Sequence, residues 1–157
     1  MSRNIGLNGK KMIEIRPYQS ADEDGVVELW ECVFPQAPAH NRPVDVIRTK
    51  LGVQPELFFV AADDDRIVGS AMSGFDGHRG WVYAVAVHPE FRRKGIGSLL
   101  MKKAESALRA IGCPKLNLQI RAENYPVQAF YESLGYHVED RISMGKKLKR
   151  EGSGPSA

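Results

Sequence analysis

Cysteine is scarce, with Cys32 and Cys113 the two thiols among 157 residues. Neither Cys-x-x-Cys spacing nor a set of His and Cys neighbours surrounds them, which excludes a disulfide framework and a zinc ribbon. They read as buried or idle thiols of a reducing compartment, so the cytoplasm is the expected location. Long apolar runs are missing too. No stretch reaches the about 18 consecutive apolar residues that a membrane span requires, so no membrane partner is expected. The opening MSRNIGLNGKK also lacks the apolar centre of a signal peptide. A large excess of one charge is absent, since 22 Lys and Arg against 19 Asp and Glu leave +3. With aromatics at 8% and no aromatic platform interleaved with the basic residues, a nucleic-acid partner has thin support.

What is present suits one domain. An apolar fraction of 43% and a charged fraction of 26% are ordinary for a globular protein, and a chain of this size hides about 68–70% of its unfolded surface. Residues 1–11 and 150–157 are rich in Gly, Ser, Asn and Lys and are expected to be flexible tails. That leaves 12–149 as a single domain. Met12 to Arg16 alternates as a strand stopped by Pro17. Ser20-Ala-Asp-Glu23 fits a capping box, opening a helix that carries Val26, Val27, Leu29, Trp30 and Val33. Phe34 to Pro43 has three prolines and no period, which predicts a loop, and a short helix follows from Val44 to Leu51.

Leu57 to Ala62 is a dense apolar strand, Asp63 to Asp65 a turn, and Arg66 to Phe75 a strand returning antiparallel. Consecutive carboxylates in a turn point in different directions and lack the alternate spacing of a calcium loop, so no metal is expected. Asp76-Gly77 is a hairpin signal leading into a strand from Trp81 to Val87. Beyond a long helix come a strand from Leu116 to Ile120 and a helix from Asn124 to Gly135 with Val127, Phe130, Tyr131 and Leu134 on its stripe. Tyr136–Val138 and Arg141–Lys147 alternate as a closing strand pair. Helices interleaved with strands in this order give an α/β arrangement.

The most informative stretch runs from Trp81 to Ile111. After the strand come His88-Pro89, the basic triplet Arg92-Arg93-Lys94, Gly95 and Gly97, and then a helix. Its predicted buried stripe is Ile96, Leu99, Leu100, Ala104, Ala107, Leu108 and Ile111, ended by Gly112 and Pro114. A helix N-terminus carries roughly +0.5 charge and unpaired N–H groups, so a cation there is disfavoured by about 0.3–1 kcal/mol. Here three stand in a row. An anion bound at that end resolves the conflict, with glycine allowing close approach, and phosphate is the obvious candidate. The plain alternative is a solvated basic loop punctuated by glycine.

Arg92-x-x-Gly95-x-Gly97, after a strand and opening a helix, resembles the pyrophosphate-binding signature of the GNAT superfamily of acetyl-CoA-dependent N-acetyltransferases. Asn124 and Tyr131, within ENYPVQAFYESLGY, resemble that superfamily's second signature, and GFDGHRG at 74–80 is similar to the bacterial YpeA-like branch. The resemblance runs from about Met12 to Lys149. It implies a mixed, largely antiparallel sheet of about seven strands flanked by about four helices, splayed between the fourth and fifth strands with the cofactor in the gap.

The resemblance also distributes roles for acetyl transfer. Cofactor anchoring falls to Arg92, Arg93, Lys94, Gly95, Ile96, Gly97 and Ser98, and the thioester carbonyl and pantetheine arm to backbone groups of Val85, Ala86 and Val87. Tyr131 is the expected acid for the leaving sulfur, because a phenol near ~10 is protonated at neutral pH while a thiol titrates near ~8.5. Its place on the helix stripe equally suits a core aromatic. Asn124 either hydrogen-bonds the cofactor's arm or caps its helix. The loop at 34–43 is a wall of the acceptor site or a plain connector.

Many relatives place a glutamate on the fourth strand, but Trp81 to Val87 has no carboxylate. Asp76 and His78 are the nearest candidates to take the amine's proton through water, although a turn explains the first and an exposed loop the second. The reading is an N-acetyltransferase moving acetyl from acetyl-CoA to a primary amine in a ternary complex. That amine belongs to a small molecule, a peptide N-terminus or a lysine, and the sequence leaves a homodimer open. The rival is a noncatalytic acyl-CoA-binding module.

Overall fold

The computed structural model describes residues 13–149, in two compact units that part between Gln119 and Ile120. The expected tails and Met12 lie outside the described residues. In the first unit, β1 (Glu14–Pro17), β2 (Phe58–Asp63), β3 (Arg66–Phe75), β4 (Gly80–Val87) and β5 (Leu116–Asn117) form one sheet in that order. Neighbours are antiparallel except β4 and β5, which run parallel. The helices are α1 (Glu23–Val33), α2 (Pro43–Leu51) and α3 (Ile96–Ala110), and the second unit contributes α4 (Tyr125–Ser133). No helix among the described residues is long and apolar enough to cross a membrane.

Both faces of β2 are covered, which is why FFVAA reads as an unbroken apolar run rather than an alternation. Phe58, Val60 and Ala62 join Val26, Leu29 and Trp30 of α1 and Ile47 of α2 in one cluster. The opposite face receives α3. A Cβ at Gly69 would stand 3.0 Å from Leu100 Cδ1 and 3.1 Å from Ala61 Cβ, so the bare glycine is what lets the helix come this close. Burial of Leu100, Met101 and Leu108 there stabilises the pairing by about 1.5–3 kcal/mol per side chain.

Several boundaries differ from the sequence reading, each for a physical reason. The buried side of α3 is Ile96, Leu100, Met101, Ala104 and Leu108, while Leu99 and Ile111 are exposed. Ile111 lies just past the last helical residue, and Leu99 lies off the line of four-residue steps, Ile96, Leu100, Ala104 and Leu108, that turns to the sheet. Ser20 is not the cap of α1. Asp22 stands at the N-cap position, but its carboxylate makes no capping bond to α1: it accepts from the Gln19 amide at 2.8 Å, closing the preceding turn, and from Arg16 at 2.7 and 2.9 Å.

The sheet has five strands among the described residues, not about seven. β5 stops at Asn117 instead of Ile120, and residues 136–149 form no strand. Val138, Ile142, Met144 and Leu148 are exposed there. Alternation provides an apolar side, but only a neighbouring edge makes a strand, and the sequence does not reveal that edge.

Candidate functional site

The loop from Arg92 to Gly95 is exposed, and its backbone is left-handed at Arg93 (φ 62°) and Gly95 (φ 76°). Two such residues within four positions curl the chain tightly into α3. Gly95 is the N-cap residue and can offer no side-chain cap, and the first turn holds no acidic residue. The N–H groups opening α3 therefore meet no carboxylate of their own turn, beside three cations. Lys94 Nζ lies 5.1 Å from the centre of the Phe91 ring, with Arg66 at 5.2 Å from the same ring, so Phe91 braces the loop from below. A Cβ placed on Gly95 meets nothing within 4 Å, which leaves open space over the helix end. These features fit a diphosphate: amides, cations and room converge on one place.

β4 leads into that loop through a bulge. Ser70 registers with Ala86 and Met72 with Tyr83, so Ala84 and Val85 stand opposite Ala71 alone. Ala84 has φ 50°, a left-handed conformation that costs a residue with a Cβ about 1–3 kcal/mol. A buried relay meets this cost, in which Trp30 Nε1 donates to Ser70 Oγ at 2.8 Å and Ser70 Oγ donates to the Ala84 carbonyl at 2.7 Å. On the other edge, the ladder with β5 consists of Gly80 with Leu116 and Trp81 with Asn117. β4 runs six residues further with no β5 partner in register. Val85, Ala86 and Val87 lie on the part of β4 that extends past its short ladder with β5. Sequence reasoning missed Trp30, Ser70 and Ala84, since a serine inside an apolar strand and an alanine at positive φ leave no signal.

The turn before β4 carries Asp76 and His78, both exposed. Gln54 clamps its base, accepting from the Phe75 amide at 2.8 Å and donating to the Phe75 carbonyl at 3.0 Å. Asp76 Oδ1 accepts from the amides of His78 and Arg79, each at 2.8 Å. The Arg79 and His78 amides hold the Asp76 carboxyl below its usual value, which makes it a weak base. Tyr83 is 51% exposed and its ring stacks beside Trp81 at 6.4 Å, an aromatic pair on the side of β4 away from α3. Burial, and then the charge of Asp76, raise the Tyr83 phenol. A separate groove of about 180 Å³, walled by Glu28, Cys32, Asp65, Arg66 and His88 among others, shares no residue with 85–87 or 92–98.

In the second unit Asn124 is exposed and caps α4, its Oδ1 accepting from the Val127 amide at 3.4 Å. Its Nδ2 group is not used by the cap. Tyr131 is 7% exposed, with Phe130 and Tyr136 edge-on to its ring at 5.0 and 5.8 Å. Burial pushes its phenol up to about 12. Among the described residues no group of three or more His, Cys, Asp or Glu side chains is placed to hold a metal ion.

Comparison with known proteins decides the family. A profile of the acetyltransferase (GNAT) family matches residues 24–136, spanning both units. An acetyltransferase of Yersinia enterocolitica is 44% identical over 136 residues, covering 87% of this chain and 96% of the relative. One of Pectobacterium atrosepticum is 43% identical over the same length, with the same shares. Among solved structures, an aminoglycoside N-acetyltransferase in complex with CoA superposes with a TM-score of 0.74 at 18% identity, over 87% of this chain and 95% of that one. The last likeness concerns the fold, and the first three decide the family. With a profile match over most of its length and relatives above 40% identity aligned almost end to end, the chain belongs to the GNAT family of acetyltransferases.

Proposed function

We propose that the chain moves the acetyl group of acetyl-CoA to a primary amine by direct attack in a ternary complex, its two units acting as one domain over residues 12–149. The observation that carries the reading is the start of α3, where three cations and glycine-flanked amides surround open space. Arg92, Arg93, Lys94 and the backbone from Gly95 to Ser98 hold the diphosphate, and Asn124 Nδ2 donates to the cofactor's arm. Backbone groups of Val85, Ala86 and Val87 serve the thioester and the pantetheine arm, with an amide on the edge of β4 away from β3 donating to the carbonyl oxygen as negative charge grows there. When bound, acetyl-CoA supplies the activated acyl carbon.

The amine lone pair forms the C–N bond, the C–S bond breaks, the nitrogen gives up a proton and the sulfur gains one. Tyr131 acts as the acid toward sulfur. A phenol at about 12 stays protonated throughout the physiological range, and its hydrogen bond to the developing thiolate stabilises the departing charge. Deprotonation of the amine has no carboxylate on β4 to rely on, and Asp76 is committed to its turn. The acceptor therefore loses its proton to solvent, with His78 and Asp76 at most relaying it through water, and enters neutral along the Trp81–Tyr83 side of β4. It is an amine of a small molecule, a peptide N-terminus or a lysine. Two unbridged cysteines suit a cytoplasmic location.

The missing β4 carboxylate favours a second reading, an acyl-CoA-binding module without turnover. One experiment separates the two. Acetyl-CoA at 100 times its Kd should stabilise the fold by ~2.7 kcal/mol, a Tm rise of roughly 5–10 °C, and an amine panel should then release free thiol. No rise removes both readings, and a rise without thiol leaves the binder.

A further inference from the structure

We infer that Trp30 and Ser70 are positioning residues for acetyl transfer, acting through the bulge of β4. This rests on the reading of Val85, Ala86 and Val87 as backbone donors to the acyl-CoA. The relay has only one polarity. An indole N–H donates and never accepts, so Ser70 Oγ receives it and has its single proton left for the Ala84 carbonyl. Ser70 is fully buried and Trp30 almost so, the latter packed in one cluster with Tyr18, Val26, Leu29, Phe58 and Val60. A hydroxyl in such a place is tolerated because both of its capacities are used.

The end point of the relay gives it meaning. Among the described residues the non-glycine positions with positive φ are Gln54, Asp64, Ala84 and Arg93, and Ala84 is the one inside a strand. The bulge turns the Ala84 carbonyl off the β3–β4 register, and Ser70 receives it there. If that bond were lost, Ala84 could return to extended backbone by a one-residue slip, which reverses the direction of every group after it. The groups after it are Val85, Ala86 and Val87. Trp30 and Ser70 thus decide which way those amides point without touching the acyl-CoA themselves.

Ser70→Ala tests this directly. Turnover in the thiol-release assay should fall about 10-fold or more, while the Kd of coenzyme A and the KM of the amine stay within about twofold, since the diphosphate is held elsewhere. Adding Ala84→Gly should restore most of the turnover, because glycine adopts positive φ without the hydroxyl's help. Trp30→Phe should give a smaller loss, as Ser70 keeps its bond to Ala84. Unchanged turnover in Ser70→Ala overturns the inference, and so does a loss shared with coenzyme A affinity that Ala84→Gly leaves unrepaired.

If Ser70→Ala does not fold, Trp30→Phe decides, with lowered turnover at unchanged coenzyme A affinity supporting the role and no change refuting it. Amide hydrogen exchange separates this inference from the function it rests on. Faster exchange at 85–87 in ligand-free Ser70→Ala confirms the relay, and a wild type that binds no coenzyme A defeats the acetyl-transfer reading and with it the assigned role.

Discussion

Two parts of the proposed site lie a few residues apart on one chain and are held by opposite means. Arg92 to Gly95 is exposed and shaped mainly by backbone, with two left-handed residues and an uncapped helix end, while Arg92 donates to the Val87 carbonyl at 3.4 Å and Lys94 lies over Phe91. Ala84 to Ala86 is shaped by side chains from elsewhere, a tryptophan on α1 and a serine on β3, buried and hydrogen-bonded in series. Tyr131 belongs with the buried kind, its ring enclosed by Phe130 and Tyr136. The difference teaches a division of labour. An exposed, cationic loop suits a highly charged ligand that must enter and leave, whereas groups that meet the reacting atoms need fixed directions and gain strength from exclusion of water. Damage to the loop should therefore appear in affinity, and damage to the buried groups in turnover.

The largest effect expected is at Tyr131. Tyr131→Phe keeps the ring contacts and removes the hydroxyl, so turnover should fall by about 10²-fold or more with cofactor affinity nearly intact. Equal losses in both, measured by thiol release and titration calorimetry, would erase the division. Burial of the same phenol has a consequence for stability. Its folded pKa of about 12 lies above an unfolded value near ~10, so the fold favours the protonated form. That contribution is complete below pH ~10 and disappears as pH rises through about 12, a loss on the order of 2–3 kcal/mol. Denaturant titrations at pH 9 and pH 11.5 should show it in the wild type and a smaller loss in Tyr131→Phe.

The same division governs what the sequence could disclose. The loop was legible because its signal is local: a basic triplet, two glycines and a helical period adjoin one another, and each has a backbone meaning. Most of the sheet in the first unit was legible for the same reason, through apolar runs broken by Asp63–Asp65 and Asp76-Gly77. The bulge was not legible. Trp30, Ser70 and Ala84 meet across 40 and 14 residues of chain, and none is unusual in its own neighbourhood. The strand pair expected in 136–149 failed in the converse way, since Ile142 and Met144 alternate locally but pairing is a property of the neighbour. Asp22 illustrates a shift of register: Ser20 and Glu23 fit a capping box by spacing, yet the box forms one residue earlier, between Gln19 and Asp22, with Arg16 paired to the acid.

On the exposed side, Gly95→Val should weaken acetyl-CoA binding about 5–30-fold, because a Cβ in the left-handed region costs roughly 1–2 kcal/mol. Nothing lies within 4 Å of the added carbon, so conformation rather than collision is the cause. Gly95→Asn should be nearly harmless, as asparagine tolerates that region. Turnover at saturating acetyl-CoA should hold in both variants. If Gly95→Asn is as damaging as Gly95→Val, close approach of the ligand matters more than the backbone angle.

The smallest effect is expected at Asp76, and its smallness is informative. Asp76→Asn removes the charge yet keeps an oxygen able to accept from the His78 and Arg79 amides, so the turn into β4 survives. A carboxyl held below its usual value by those two amides is a poor proton acceptor near neutral pH, and turnover should change by less than about threefold. The rate should instead rise with pH along each acceptor's own titration, following the amine's pKa from one member of a panel to the next. Such tracking means that the neutral amine is selected from solvent. A drop near 10²-fold in Asp76→Asn, with a pH midpoint that stays fixed while the amine changes, would make Asp76 the base and extend the chemistry from the buried strand onto the exposed turn.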